Sequence, residues 1–160
     1  MTPYHLRKWE SEITDQGRLR EMLDNGRYMT IGLAHGDEPY VVTMNYGYDA
    51  CRHAVYMHCA PAGVKLSFLE GNPRACATVI EDIGYRHGQC SHAYRSLVLF
   101  GTVRRVQDDA EVVYGLNILF EHLEKDPDAM RRRFLPGGGP YREVQVLRFD
   151  IEEMTGKQGG

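Results

Sequence analysis

The sequence predicts a mainly β protein, a small antiparallel barrel with peripheral helices. Several stretches alternate apolar and polar residues with a period of two, and short links containing Gly or Pro join them. The sequence lacks the regular alternation of strand and helix that would indicate a parallel sheet. Strands of this kind protect their edges by closing on themselves. With 160 residues and no internal repeat, we expect a single domain over residues 1–160, built as a six-stranded antiparallel barrel.

The first half of the chain predicts one helix and a meander of three strands. Residues 1–12 are interpreted as an N-terminal arm, with Trp9 available as an anchor against the body or a partner subunit. Thr14 or Asp15 is a suitable N-cap for a helix that ends near Gly26. The period then changes to two, which predicts strands over 28–34, 40–46 and 54–58.

The second half mixes strands with two further helices. Its predicted elements are a helix after Gly63, strands over 74–80 and 93–106, helices from Asp108 or Asp109 and over 128–134, and a final strand over 144–151. Residues 83–92 hold two glycines and are predicted to be irregular, and Gly101 is predicted to mark a bulge. Residues 135–141, rich in Gly and Pro, are predicted to form a flexible loop.

Composition excludes several classes of function. The formal net charge of −3 lacks the basic excess of a general nucleic-acid or membrane-surface binder. No apolar stretch approaches the roughly 20 residues that span a bilayer, and the N-terminus lacks a signal-peptide core, so we expect a cytoplasmic protein. The four cysteines form no CxxC pair and are expected to be reduced. Walker, Rossmann and Gly-x-Ser-x-Gly motifs are all missing.

The most informative segment is the predicted strand, tight corner and helix over 57–69. Lys65 lies in the first turn of that helix, just after Pro61 and Gly63. A helix start leaves backbone N–H groups unpaired and carries positive partial charge, so a lysine there is favourable only when an anion is also present. A lysine on a short helix is otherwise a solvated surface residue. We favour the first interpretation, a site for a phosphate group.

Two other pairs of residues allow a binding role or a plain structural one. Arg95 and Ser96 precede a buried apolar run and would suit the second half of an anion clamp, or Arg95 would pair with a carboxylate at the barrel rim. Thr43 and Asn45 share one face of a predicted strand. They would hydrogen-bond the edge of a heterocycle, or they would face solvent.

Histidine and cysteine side chains raise the alternative of a metal or haem site. His87, Cys90 and His92 lie within six residues, and His58 lies on another predicted strand. Their spacing matches no closed zinc pattern, so we assign no metal site.

Four motifs, in this order and spacing, resemble a known family. They are Ala60-Pro61-x-Gly63-x-Lys65, then Asn72-Pro73-Arg74, then Tyr94-Arg95-Ser96 leading to Phe100-Gly101, and finally Glu152 to Lys157. Over about residues 13–157 the chain is similar to the pyridoxamine-5'-phosphate-oxidase-like FMN-binding split-barrel proteins. Within them it most resembles the 5-nitroimidazole-resistance branch, although Val64 stands where that branch commonly has a histidine.

The resemblance implies a fold, an assembly and a cofactor. It implies a six-stranded split barrel that forms a homodimer, with one FMN in each of two clefts between the subunits. The residues implied to bind the cofactor are Lys65, Arg95 and Ser96 at the phosphate, Thr43, Met44, Asn45, Tyr46, His58, Cys59 and Ala60 at the ring, and Gly63 and Val64 in the turn.

The implied activity is that of an oxidoreductase acting on a small molecule, such as a nitro-aromatic acceptor. No catalytic residue is assigned, because no side chain is marked as a general acid or base. The alternative is a haem or flavin carrier or sensor without turnover.

Overall fold

The computed structural model describes residues 6–160, which form one antiparallel sheet of eight strands and four α-helices. The strands are β1 (Glu12–Ile13), β2 (Tyr28–His35), β3 (Glu38–Asn45), β4 (Gly47–Asp49), β5 (Ala54–Cys59), β6 (Arg74–Arg86), β7 (Ser91–Arg105) and β8 (Gln145–Gly159). The helices are α1 (Gln16–Asn25), α2 (Val64–Gly71), α3 (Asp109–Leu123) and α4 (Pro127–Phe134).

The order of the strands explains why the sheet closes. It runs β3-β2-β6-β7-β8-β5-β4, with β1 added to β8. Strands β3 and β4 lie at opposite ends of this order, yet only Tyr46 separates them along the chain. The sheet must therefore curl until its ends meet, which confirms the predicted barrel. Two more strands are found than predicted, because β1 and β4 are too short to show a period of two.

Helix α1 and the corner between β3 and β4 close one part of the barrel. The Asp15 side chain accepts hydrogen bonds from the N–H groups of Gly17 and Arg18, which confirms it as the N-cap. Tyr46 is fully buried, and its hydroxyl donates to the Leu23 carbonyl oxygen at 2.7 Å. Burial raises the pKa of Tyr46, so the hydroxyl stays protonated and keeps donating this bond.

The prediction of irregular structure over 83–92 is wrong. Strands β6 and β7 continue as one long hairpin, with Gly84 opposite Ala93 and Tyr85 opposite His92, and only residues 87–90 form the turn. Gly84 lies at a register shift between β6 and β7, where its N–H donates to the Asp82 carboxylate. A glycine that permits a bulge has the same sequence signature as a glycine in a loop.

The final strand is longer than the predicted 144–151. Strand β8 runs to Gly159, and a second register shift interrupts the alternation of its side chains. Phe100 pairs with Glu153 and Gly101 with Ile151, so Glu152 is the extra residue. A bulge therefore lies beside Gly101 as predicted, but the extra residue belongs to β8. The eight strand residues after the predicted end at 151 are mostly polar, so the sequence pattern did not mark them as strand.

Gly101 permits a close approach between β7 and β8, which leads to a prediction. A Cβ atom at Gly101 would overlap the Asp150 carbonyl oxygen and approach the Phe149 ring to 2.8 Å. We expect Gly101→Ala to lower the free energy of unfolding by about 1–3 kcal/mol, measured by urea denaturation. Gly139→Ala is the control, since a Cβ there meets no atom within 4 Å. Equal midpoints for the Gly101 variant and the parent would contradict the proposed overlap.

Helices α3 and α4 pack outside the barrel and build a second core. Asp108 caps α3 by accepting the Glu111 N–H at 2.9 Å. Members of the second core come from α3, from β5 and β8, and from the segments beside them: Tyr56, Val106, Leu116, Leu119, Phe120, Leu135 and Val146. Within the predicted loop 135–141, Pro136–Gly138 forms a short 3-10 helix.

The N-terminal arm is described in part. Residues 1–5 of the predicted arm lie outside the described residues. Leu6 is buried, a 3-10 helix spans Trp9–Ser11, and the Trp9 ring is 75% exposed, so it is not anchored against the body of this chain. None of the helices in the described part of the chain combines the length and apolar character needed to cross a membrane.

Candidate cofactor site

The turn between β5 and α2 presents a bare helix start. Gly63 has a φ of +149°, a conformation that L side chains rarely adopt, and it offers no side chain to cap the helix. Its carbonyl accepts the N–H groups of Leu66 and Ser67, at 3.1 and 3.3 Å. Among the described residues, nothing accepts the N–H groups of Val64 and Lys65, which remain available to a ligand.

Lys65 is where the sequence predicted it, in the first turn of α2. It is half-buried, and its side chain lines a small gap at the end of the barrel interior beside Met44, Met57 and Leu69. No carboxylate in the described chain lies within ion-pair distance of its ammonium group. A lysine at a helix start without a counter-charge is suited to binding an anion. We call Gly63, Val64 and Lys65 the helix-start site.

Arg105 holds this turn in place, and no motif in the sequence marked it. Its guanidinium contacts the Glu70 carboxylate at 2.6 Å, the Pro61 carbonyl oxygen at 3.3 Å and the Gln145 side-chain oxygen at 3.1 Å. These contacts join the turn, the end of α2 and the start of β8. Arg105 lies at the end of β7, and the register of the sheet places that end beside the turn. Local sequence patterns do not reveal which strands are neighbours.

The predicted ring-lining residues of β5 point to different sides. Cys59 is buried in the barrel, where burial raises the pKa of its thiol against the opposing effect of Lys65 and Arg105. The thiol therefore stays protonated at neutral pH. His58 faces the other side of the strand, where its side chain is exposed, and partial desolvation lowers the pKa of its imidazole below the ordinary value. Ala60 is exposed in the turn.

Strand β3 shows the predicted alternation. Thr43 and Asn45 face outward, whereas Met44 and Tyr46 are buried. The Thr43 hydroxyl lies 3.0 Å from the Thr30 hydroxyl, and the Asn45 amide donates to the Arg27 carbonyl at 3.1 Å. Thr43 and Asn45 thus already have polar partners on the outer face of the sheet, whereas the Tyr46 hydroxyl is used inside the barrel by the Leu23 carbonyl.

Arg95 and Ser96 do not form one clamp within the chain. Successive residues of a strand face opposite ways, and Arg95 pairs with Glu81 at 2.6 Å, the rim ion pair that was the alternative interpretation. Ser96 faces a shallow cavity of about 490 Å³ and lies opposite Lys157 in the ladder. The Lys157 ammonium lies 5.5 Å from the centre of the Tyr94 ring. We call Tyr94, Ser96 and Lys157 the sheet-face site.

The helix-start and sheet-face sites are far apart in one chain. Val103 lines the same gap as Lys65, and Ser96 lies seven residues earlier on β7. At about 3.3 Å per residue, this separates the sites by roughly 20 Å. We therefore expect that no single phosphate contacts Lys65 and Ser96 of the same chain. Lys157 belongs to the last of the four family motifs, but it was not among the predicted site residues, because the final strand was predicted to end at residue 151.

Of the histidines considered as metal or haem ligands, His58 lies on β5, and His87 and His92 lie near the tip of the β6–β7 hairpin. His92 pairs with the Asp82 carboxylate at 2.6 Å, and the Tyr85 ring contacts the rings of His87 and His92. Cys90 is exposed in the turn. Across residues 6–160, no three side chains of His, Cys, Asp or Glu come together in a way that could hold a metal ion.

Comparisons with known proteins agree with this architecture. The profile of the family described as pyridoxamine 5'-phosphate oxidase matches residues 15–158. A candidate 5-nitroimidazole antibiotic resistance protein from Bacteroides thetaiotaomicron is 27% identical, with a TM-score of 0.72 over 92% of this chain and 86% of that one. No curated protein matches the chain.

Two further solved structures share the fold at lower identity. A FAD-binding protein from Mesorhizobium loti is 22% identical, with a TM-score of 0.62 over 91% of this chain and 96% of that one. A FAD- and heme-binding protein from Mycobacterium smegmatis is 21% identical, with a TM-score of 0.69 over 93% of this chain and 73% of that one.

Proposed function

Because the chain belongs to the pyridoxamine 5'-phosphate oxidase family, we propose that it binds FMN and acts as an oxidoreductase on a small molecule. The observation that carries the proposal is Lys65, which has no ion-pair partner among the described residues and lies beside the uncapped start of α2. The similarity of the split barrel to flavin-binding structures supports a flavin as the cofactor. The helix-start site supports a flavin that carries a phosphate group. We infer a cytoplasmic location, where the four free cysteines would stay reduced.

The residues of the helix-start site fit the phosphate of FMN. The ammonium group of Lys65 supplies a full charge, and the N–H groups of Val64 and Lys65 supply directed donors. Gly63 leaves the helix start accessible to a phosphate, because it has no side chain of its own and no atom lies within 4 Å of the position that a Cβ would take. The backbone of residues 58–60 then leads away from the phosphate along β5, where the flavin ring would lie.

The distance between the two sites supports a homodimer as the working form. If Ser96 and Lys157 also contact the cofactor, they must come from a second copy of the chain, since roughly 20 Å separates them from Lys65. The outer face of the sheet is suited to such a partner. It exposes large apolar side chains at Val41 (65%), Tyr28 (61%) and Ile80 (61%). A two-fold dimer would then build two equivalent clefts.

The chain's own contribution to the reaction is binding and orientation. A bound flavin supplies hydride or single-electron transfer. The protonated Cys59 thiol adds no charge on the barrel side of β5. Val64 is 56% exposed and can neither donate nor accept a proton, so we propose no reaction that depends on a histidine at this position.

A haem or flavin carrier without turnover is the second candidate. It is favoured by the similarity to a FAD- and heme-binding structure and by His58, whose imidazole has no hydrogen-bond partner among the described residues. The cavity beside His58 has a volume of about 240 Å³. This is below the roughly 300–1,000 Å³ of pockets for drug-sized ligands, so haem would need a cleft completed by a second chain.

The absorption spectrum of the purified protein tests both candidates. We expect flavin bands, present as purified or after addition of FMN, and FMN as the chromophore released on denaturation. A Soret band after addition of haem, lost in a His58→Ala variant, would favour the carrier instead. A protein that takes up neither chromophore would contradict both.

A further inference from the structure

A separate cavity lies outside the barrel, beneath α3 and α4. Its volume is about 240 Å³, and it opens between these helices, β5 and the segment that leads into β8. Most of its lining is apolar: Leu116, Leu119, Phe120, Leu123, Met130, Phe134 and Val144, with His58, Glu124 and Tyr141 as the polar members. Lys65 lines the barrel interior instead, so this cavity is not part of the helix-start site.

His58 gives the cavity one directed polar group. Its neighbours Met57 and Cys59 point into the barrel core, which places the imidazole on the outer side of β5. A neutral imidazole offers one N–H donor and one nitrogen acceptor, and neither has a partner in the part of the chain that the structure describes. The Tyr141 hydroxyl is already used, because it donates to Glu143 at 2.7 Å.

We propose that this cavity binds a small, flat and uncharged aromatic molecule whose single polar group hydrogen-bonds to His58. An apolar cavity of about 150 Å³ can hold benzene, so about 240 Å³ has room for a two-ring molecule. No lysine or arginine lines it, and Glu124 disfavours an anionic ligand. The rings of Phe120 and Phe134 provide aromatic contacts. The inference does not depend on flavin binding.

The probes 2-naphthol and naphthalene, added to the full-length protein, separate the two parts of the proposal. Methyl groups of ¹³C-labelled methionine are followed by NMR. Met130 lines the cavity, and Met22 lies in the barrel core as an internal control. We expect both probes to shift the Met130 signal saturably and to leave Met22 unchanged. His58→Phe should weaken 2-naphthol binding about tenfold, the effect of one hydrogen bond, without weakening naphthalene binding.

Filling the cavity gives the second arm of the test. Val144→Trp should abolish binding of both probes, and Leu123→Phe serves the same purpose if the first variant does not fold, since both residues are half-buried in the lining. His87→Phe, on the distant hairpin, should change nothing. The proposal is overturned if Met130 shows no saturable shift, if a folded cavity-filling variant binds as the parent does, or if His58→Phe weakens both probes equally.

Discussion

Replacing Lys65 with methionine is expected to weaken FMN binding by roughly 10- to 150-fold, because a charge-assisted contact to phosphate contributes about 1.5–3 kcal/mol. Methionine retains the aliphatic stem that lines the barrel gap, so the variant removes the charge and little packing. With no ion pair to lose among the described residues, the apo-protein should unfold within about 0.5 kcal/mol of the parent.

Titration of the apo-protein with FMN, followed by quenching of flavin fluorescence, measures this effect. Lys65→Arg keeps the charge and should retain most of the affinity, although the shape of the donor differs. Lys125→Met removes the same charge from an exposed position between α3 and α4 and should bind like the parent. If the Lys65 and Lys125 methionine variants bind FMN equally well, the phosphate lies elsewhere.

The same prediction extends to the assembly. Lys65→Glu and Lys157→Glu should each abolish FMN binding as homodimers, if the cleft takes one lysine from each chain. Mixed dimers of the two variants contain one cleft with both substitutions and one cleft with none. Random assortment makes half of the dimers mixed, so about a quarter of all clefts should bind FMN again.

The stoichiometry of FMN bound after co-refolding distinguishes the possible arrangements. Recovery of about a quarter of the sites means that the helix-start and sheet-face sites meet across the subunit interface. If both single variants are dimeric and fail to bind FMN, and the mixed dimers recover no binding, the two lysines do not meet across the interface. They would then belong to the same subunit's half of a cleft or to separate sites. Full binding by Lys157→Glu alone would remove the sheet-face site from the proposal.

The barrel could be predicted from the sequence because its features are local. Asp15, Gly26 and Asp108 mark helix boundaries through short-range capping, and the buried strands alternate with a period of two. The predicted strand ends were wrong at the two register shifts, near Gly84 and Glu152. One extra residue in a ladder reverses the alternation of apolar and polar side chains. The local sequence pattern then indicates a loop where the strand in fact continues.

The candidate site was predicted in part for the same reason. Lys65 is defined by its place in one helix turn, which the sequence determines locally. Arg105 and Lys157 depend on which strands are neighbours and in which register, a property of the whole sheet. The predicted Arg95–Ser96 clamp used adjacency in sequence, but adjacent strand residues face opposite ways.

Glu111→Gln is expected to have the largest effect on stability outside the cofactor site. The Glu111 carboxylate is only 15% exposed and accepts hydrogen bonds from Arg148 at 2.9 Å, Arg104 at 2.8 Å and the Tyr56 hydroxyl at 3.0 Å. It joins α3 to β5, β7 and β8. Glutamine removes the charge that Arg148, Arg104 and Arg52 share, and Arg148, itself 19% exposed, keeps only Asp150 at 2.7 Å as a counter-charge. We expect a loss of about 2–3 kcal/mol at neutral pH.

The pH dependence of this loss follows from the pKa of Glu111. Burial alone would raise that pKa, but the hydrogen bonds from Arg148, Arg104 and Tyr56 lower it from 4.5 to about 2. The folded state therefore binds this proton more weakly than the unfolded state does. The stabilisation is complete above about pH 4.5 and is lost as the pH falls towards 2.

Urea denaturation of parent and variant between pH 7 and pH 3 measures the difference, with a control on the same helix. The difference in unfolding free energy between parent and variant should narrow as the pH falls. Protonation of Glu111 removes from the parent the charge interactions that the glutamine variant lacks at every pH. Glu121→Gln breaks an exposed ion pair with Arg131 and should cost less than about 1 kcal/mol at any pH. A gap that stays constant down to pH 3 would mean that Glu111 stabilises the fold by packing and neutral hydrogen bonds, since only the charged carboxylate can produce the narrowing.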